Sequence, residues 1–312
     1  MSRIQRLLDD LQDTDAIVAQ IETVLRSQDA ADADRINLEA IQKRRVDLER
    51  RLNTELQVSQ TDLVSYKIDR SLNKYPVLAV AQAIRTFQEL VTAIFDAVRT
   101  TPKQRYRPSA ENLELSSLNF AVAVAGSVVV SMSVENDRLL GLKSELDLTF
   151  DEVFLLLNAS DNSAIRELVG KVGIASISKA YAWAENSAEY GLNTTITVAK
   201  DQNTPTRVEI SNSAALALKE AIESASDEET VPEQWECELI GIDGDTSYFH
   251  IRKIDDDTEV KGSLSDAFPA NGEWTTHRKY LASLNRTTQI KFATGEEKTR
   301  WSLANLIPSQ TE

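Results

Sequence analysis

The 312-residue chain has one cysteine, Cys237, and two histidines, His250 and His277. A single thiol cannot cross-link its own chain, so no intrachain disulfide framework supports the fold. Two imidazoles exclude the His-rich metal sites, and they leave a serine or cysteine nucleophile only His250 or His277 as its base. Long apolar runs are missing too. The longest, Phe120-Ala-Val-Ala-Val-Ala-Gly126 with Val128-Val-Val130 after Ser127, is far shorter than the about 20 residues that span a bilayer as helix. Residues 1–10 reach Asp9 and Asp10 without an apolar core of signal-peptide type. A cytoplasmic protein with no membrane partner is therefore expected.

What the chain does contain is globular. Hydrophobic residues make up 42% and charged residues 27%, which excludes wholesale disorder and collagen-like repeats, and the length suits two or three domains. With 34 Lys+Arg against 49 Asp+Glu the formal charge is −15, which opposes indiscriminate coating of nucleic acid. The acids are unevenly spread. Ten of them fall between Glu220 and Asp245, where there is no Lys or Arg.

Residues 1–60 hold no glycine or proline and carry apolar residues at helical spacing: Ile4, Leu7, Leu8, Leu11, Ile17, Val18, Ile21, Val24 and Leu25, then Ile36, Leu38, Ile41, Val46, Leu48, Leu52 and Leu56. Ser27–Asp34 breaks the stripe and offers Asp32 or Asp34 as a helix N-cap. This predicts a helical hairpin or coiled coil. Leu7, Leu11, Val18, Ile21, Leu25, Ile41, Leu48 and Leu52 are the candidate oligomerisation residues, facing either the hairpin partner or another copy of the chain.

Residues 61–226 read as an α+β domain. Leu63–Asp69 forms a strand, Pro76 opens a buried helix through Val98, and Asn112–Val134 is rich in β-formers around Ala125-Gly126. Helices follow over Leu148–Leu157 and Ala164–Tyr190. A hairpin then pairs Leu192–Ala199 with Thr206–Ile210 across Lys200–Pro205, and a helix over Ser213–Ala225 closes the domain. Residues 227–234 read as an acidic linker. Residues 235–312 predict five short strands, Glu236–Ile242, Ser247–Ile254, Glu259–Leu264, Thr287–Thr294 and Trp301–Ile307, suited to a small barrel of OB or SH3-like type.

The stretch Gly126-Ser-Val-Val-Val, together with the tail pattern Leu-Ile-Gly-Ile-Asp, Phe-His-Ile-Arg, Thr-Gly-Glu-Glu-Lys and Trp-Ser-Leu, resembles a loose group of uncharacterised bacterial proteins in which an α+β domain precedes a small five-stranded barrel. The resemblance spans residues 61–308. It implies architecture and an accessory role beside other gene products, and it carries no catalytic residues.

Motifs for chemistry are weak throughout. Val169-Gly-Lys-Val-Gly-Ile174 lacks both the upstream glycine and the hydroxyl after lysine that a phosphate loop needs, and it reads as a corner in which Gly170 and Gly173 release one helix into the next. Lys179 in the second helix is accompanied by Glu185 and Glu189, unlike a DNA-reading helix. There is no Gly-x-Ser-x-Gly elbow. His250 alternates with Phe249 and Ile251 in a strand, and Cys237 lies between Glu236 and Glu238, whose carboxylates disfavour a thiolate. Asp243-Gly-Asp245 and Asp255-Asp-Asp257 fit turns better than calcium loops. No catalytic residue, cofactor or metal ligand is assigned.

Two basic clusters run against the overall charge. Arg99, Lys103, Arg105, Tyr106 and Arg107 sit in one proline-bounded loop. Trp274, His277, Arg278, Lys279, Tyr280, Lys298 and Arg300 accompany Arg286 and Lys291 in the tail, where cations beside aromatic faces could contact single strands. These are the candidate partner or nucleic-acid residues. The expectation is a non-enzymatic bacterial interaction or assembly protein, an accessory subunit of a defence-type or similar system. It would work as a homo-oligomer or with a partner protein, through its N-terminal helices and its barrel. A nucleic-acid or nucleotide sensor built on the barrel and the basic loop is the alternative.

Overall fold

The computed structural model describes residues 3–26, 32–70, 74–124, 128–138, 142–199, 205–269 and 272–309, and the chain is α+β with two compact units, Met1–Ser224 and Ala225–Glu312.

The first unit opens with α1 (Arg3–Leu25) and α2 (Asp32–Val58). Ion pairs Arg3–Glu55 at 3.1 Å and Arg45–Asp15 at 2.6 Å fix them as an antiparallel hairpin. On α1 the residues Leu7, Leu11, Thr14, Val18, Ile21 and Leu25 recur in steps of four and three, so they line one face. The expected break at Ser27–Asp34 lies largely in residues 27–31, outside the described residues. Leu7, Leu8, Leu48, Leu52 and Leu56 are buried together with Ala121, and Ile4, Leu11 and Leu63 pack against them. This corrects two expectations. Leu7, Leu48 and Leu52 are buried within their own chain and are not free for a second copy, while Leu11, Val18, Ile21, Leu25 and Ile41 are half-buried. The hairpin is also no separate domain, because its base shares a core with the sheet that follows.

That sheet is built from β1 (Thr61–Arg70), β2 (Asn119–Val124), β3 (Val128–Glu135), β4 (Leu192–Ala199) and β5 (Thr206–Ile210), all antiparallel in the order β2-β3-β1-β4-β5. Alternate residues Val64, Tyr66 and Ile68 on β1 are buried, as are Val130, Met132 and Val134 on β3 and Leu192, Ile196 and Val198 on β4. Four long helices complete the unit: α3 (Val77–Arg99), α5 (Glu145–Leu157), α6 (Asn162–Tyr190) and α7 (Asn212–Ser224). Phe87 of α3 meets Tyr66 with ring centroids 4.8 Å apart, and Trp183 of α6 hydrogen-bonds the same tyrosine, so these helices cover the apolar face. Among the described helices α3 alone has the length and apolar composition to cross a bilayer, and Phe87, Leu90, Val91 and Ile94 on it are fully buried in this core.

Local chemistry sets several boundaries. Ser144 accepts from the Asp147 N–H at 3.0 Å while Asp147 accepts from the Ser144 N–H at 3.1 Å, a reciprocal cap that starts α5 three residues before Leu148. Asn112–Leu115, expected as strand, belongs instead to the short helix α4 (Ala110–Leu115), because Ser109 caps it by accepting from the Asn112 N–H. The corner in α6 is made by Gly173 alone, at φ 79° and ψ 161°; Gly170 stays helical. A side chain at Gly173 would strike the Lys103 backbone, with its Cβ 2.4 Å from the nitrogen. The turns expected around Ala125-Gly126 and over Lys200–Pro205 fall largely on residues 125–127 and 200–204, outside the described residues.

The second unit has β6 (Ser226–Asp243), β7 (Tyr248–Lys253), β8 (Glu259–Leu264), β9 (Lys279–Lys291) and β10 (Glu297–Pro308). The order β10-β8-β7-β6-β9 closes on itself because β10 also pairs with β9. Cys237, Leu239, Phe249, Ile251, Ala282, Leu284 and Leu303 fill its core. Residues 227–234 are strand, not linker. They pair with β9 from Ser226 to Glu238, whereas β7 joins β6 only from Cys237, so one edge of the acidic stretch stays open; Asp227, Glu228 and Glu229 stay solvated, while Glu233 is half-buried against Arg286 and Trp235. β9 begins eight residues before the expected Thr287, and β10 four before Trp301.

Candidate binding surfaces

The basic loop after α3 serves largely internal ends. Asp96 is buried, and its carboxylate accepts from Lys103 Nζ at 2.5 Å and Asn112 Nδ2 at 2.6 Å. Arg99 donates to Asn112 Oδ1 at 2.9 Å and to Glu111 Oε1 at 2.7 Å, and the Glu111 hydrogen bond raises its pKa above the usual guanidinium value. Tyr106 is half-buried under Lys179 Nζ, which lies 4.3 Å from its ring centroid and is 2.7 Å from Glu89. Burial is the main cause that pushes the Tyr106 phenol upward, with Glu89 adding to it. Arg105 and Arg107 are exposed. Of the five residues assigned to this loop, Arg99, Lys103 and Tyr106 thus hold the fold, and only these last two arginines project to solvent.

In the second unit the aromatic residues turn inward. Trp274 packs on Phe268 and Tyr280, with centroids 5.3 and 6.1 Å away, and Trp301 packs on Trp235 at 4.8 Å. Tyr280 is buried, and its hydroxyl accepts from the Thr275 N–H at 3.0 Å, anchoring the segment that leads to His277. His277, Arg278 and Lys279 are exposed. His277 Nδ1 lies 3.0 Å from Glu238 Oε1, while His250 Nε2 lies 3.0 Å from Glu259 Oε2. Arg252 joins the two carboxylates, at 2.8 Å from Glu259 and 3.7 Å from Glu238. His277 and Lys279 line a cleft of about 370 Å³ with Glu238, Arg252, Lys253, Ile254 and Asp257. Its signs are mixed, so it does not concentrate one charge.

Lys298 and Arg300 lie elsewhere, on the outer face of β10. The register Glu228–Gln289–Lys298 and Thr230–Thr287–Arg300 places them on one face, where Thr230 and Thr287 hydroxyls meet at 2.9 Å. Trp301 has the opposite phase. Lys298 and Arg300 are therefore on a different face from Trp301, while Arg286, directly across from Trp301, is held by Glu233 at 2.6 Å, so the combination of free cations and open rings that stacks single strands is not assembled here.

The turn residues behave as turn residues. Asp243 accepts from the Asp245 N–H at 2.9 Å and from Thr246 Oγ1 at 2.7 Å, and these bonds to Thr246 and Asp245 lower its pKa. Cys237 is fully buried, and it is burial, not the flanking carboxylates, that raises its thiol to about 11. Among the described residues no group of three or more His, Cys, Asp or Glu could hold a metal ion.

One polar cluster has no forerunner in the sequence reading. Arg138 bridges two buried carboxylates: it donates to Asp62 and, through Nε and Nη2 at 2.9 Å each, to Asp147. Asn136 Nδ2 donates to Asp62 at 2.6 Å. The available signal was Asp62 itself, which has the same strand phase as the buried Val64 and Tyr66 and so required a partner.

Compared with known proteins, the chain matches no family model, no curated protein sequence and no solved structure.

Proposed function

We propose that this chain is a non-enzymatic bacterial interaction or assembly protein, an accessory subunit of the cytoplasm whose helical hairpin forms coiled-coil-type contacts with another copy or a partner protein. The observation that carries this reading is the outer half of the hairpin. Beyond the buried base, Ile17, Val24, Ile36 and Val46 are exposed, with Ile36 at 69% and Val46 at 62%, while the seam between the helices is already filled. Exposed branched side chains on two paired helices are a surface for further helices. We read the second unit as a small barrel of OB or SH3-like type that adds a second contact surface.

Light scattering on the full chain tests this against a variant carrying Ile17→Glu, Val24→Glu and Ile36→Glu. The expected result is a multimer for the natural chain and a monomer for the variant, with unchanged helicity. Identical monomeric masses at about 100 µM would remove the self-assembly reading.

A second reading has its own observation. Lys298 and Arg300 share a face with Lys291, Gln289, Thr287 and Ser302, side chains that suit phosphate contacts. Binding to single- or double-stranded nucleic acid should then weaken with salt, by a slope of about 0.7–0.9 per neutralised phosphate, and should fail in Lys298→Glu/Arg300→Glu. Absence of binding at about 50 mM salt rejects it.

A further inference from the structure

A cavity of about 420 Å³ opens in the first unit where the end of α3, α4, the end of β3 and the start of α5 meet. Phe95, Leu115, Leu142 and Leu146 line it; Phe95 and Leu146 are buried, whereas Leu115 is 44% exposed and borders the opening. Leu115 and Leu142, the latter 70% exposed, together extend the apolar lining to the surface, and a joined apolar patch at a hollow is a place for an occupant that covers it.

The charges at the mouth are one-sided. Glu135 is the last residue of β3 and Asp137 lies two residues past it; both are exposed, and among the described residues neither side chain has a partner. Glu145, also lining the cavity, is only 3.5 Å from Arg99 Nε, at an exposed and weak pair. The one lysine present, Lys143, is turned to Asp151 at 2.7 Å. Two unpaired carboxylates over an apolar floor select against anions and for a cation attached to an apolar body.

We propose that this cavity binds a ligand consisting of one compact apolar body and one cationic group. The body lies against Phe95, Leu115 and Leu146, and the ammonium or guanidinium lies between Glu135 and Asp137. The proposal goes beyond the assembly reading and does not rest on it, since it concerns a different surface of the first unit.

Three probes with the same ring system test it on the full chain: tryptamine, tryptophol and indole-3-acetate, which are cationic, neutral and anionic. Methyl NMR should show saturable shifts at Leu115, Leu142 and Leu146, with tryptamine about tenfold tighter than indole-3-acetate, the size expected when attraction to two exposed carboxylates turns to repulsion. Glu135→Lys/Asp137→Lys, both at exposed positions, should invert that order, and Leu115→Asp should weaken all three probes at least about tenfold. An acetylated Ala-Trp-Lys-Ala amide supplies the same chemistry as side chains: tighter binding than tryptamine assigns the occupant to a partner's peptide, weaker binding to a free amine. No saturable shift with any probe, or an order that charge reversal leaves unchanged, overturns the proposal.

Discussion

Trp183 donates its indole Nε1–H to the phenolic oxygen of Tyr66 at 2.8 Å, deep in the first unit where both residues are fully buried. The bond ties α6 to the central strand β1 at the point where Phe87 of α3 also meets the tyrosine ring. Tyr66→Phe keeps the ring and removes the acceptor, leaving a buried N–H unsatisfied, and should cost about 1–3 kcal/mol in urea unfolding. Burial raises the Tyr66 phenol from 10.0 to about 12. The unfolded chain therefore loses this proton first. The stability the neutral phenol contributes is present below pH 10 and is lost as pH rises from 10 to 12, so the gap between wild type and Tyr66→Phe should narrow over that window. A gap that stays constant would show that Tyr66 ionises equally in both states.

The filled hairpin seam leads to a contrast between neighbours on α2. Leu52 is buried against Leu48, Leu7 and Ala121, whereas Val46 is 62% exposed. Leu52→Ala should cost about 2–5 kcal/mol and Val46→Ala less than about 0.5 kcal/mol, read by thermal and urea unfolding. Equal effects would mean that the stripe is not used within the chain.

Arg138 bridges the buried carboxylates of Asp62 and Asp147. Arg138→Met fills similar space but leaves two buried carboxylates without their cation, and the loss should be about 3–5 kcal/mol. Asp147→Asn keeps an acceptor for the guanidinium and should cost less. The ranking of the two variants in urea midpoint checks the assignment.

How legible this fold was depended on where the apolar side chains fall. The hairpin, α3, β4, β5 and α7 are amphipathic or alternating over many residues, and their spacing alone places them. The strand at 226–236 carried no such mark, because it is an open edge whose neighbour β9 satisfies its backbone while Asp227, Glu228 and Glu229 remain in water. Acid density reads as linker unless the partner strand is known. The basic loop was misread for a related reason. Arg99 and Lys103 look solvent-facing in the sequence, but Lys103 neutralises Asp96 on the buried side of α3, and Arg99 holds Asn112, which donates to the same carboxylate. A charge that neutralises a buried group three or more residues away cannot be told from a free one by local composition.

Gly173 and Gly170 were read together as a corner, and the structure separates them. At Gly173 the backbone has φ 79°, Ala175 N–H donates to the Lys103 carbonyl at 2.9 Å, and an added Cβ would lie 2.6 Å from that oxygen. At Gly170 an added Cβ meets nothing within 4 Å. Gly173→Ala should therefore destabilise by more than about 1 kcal/mol, while Gly170→Ala should stabilise by about 0.5–1 kcal/mol through its helix preference. Opposite shifts in urea midpoint are the expected result, and shifts of the same sign would contradict the kink.

Cys237 provides a probe of the second unit that needs no substitution. Its side chain is fully buried among Leu239, Ile251, Tyr280 and the rest of the core, and burial raises its thiol to about 11. Both access and thiolate fraction are therefore low at neutral pH. A neutral thiol reagent such as iodoacetamide should label it only when the unit opens, so the labelling rate in increasing urea should follow the unfolding of residues 225–312. The raised thiol also sets a sign. The unfolded chain gives up this proton at about 9.0, the folded chain near 11, so the contribution is intact below pH 9 and is lost as pH climbs from 9 to 11. Cys237→Ala should flatten that part of the alkaline fall while lowering stability at pH 7 by the cavity it leaves. Rapid labelling of the native chain at pH 7 would place the thiol at the surface and contradict the packing described for β6.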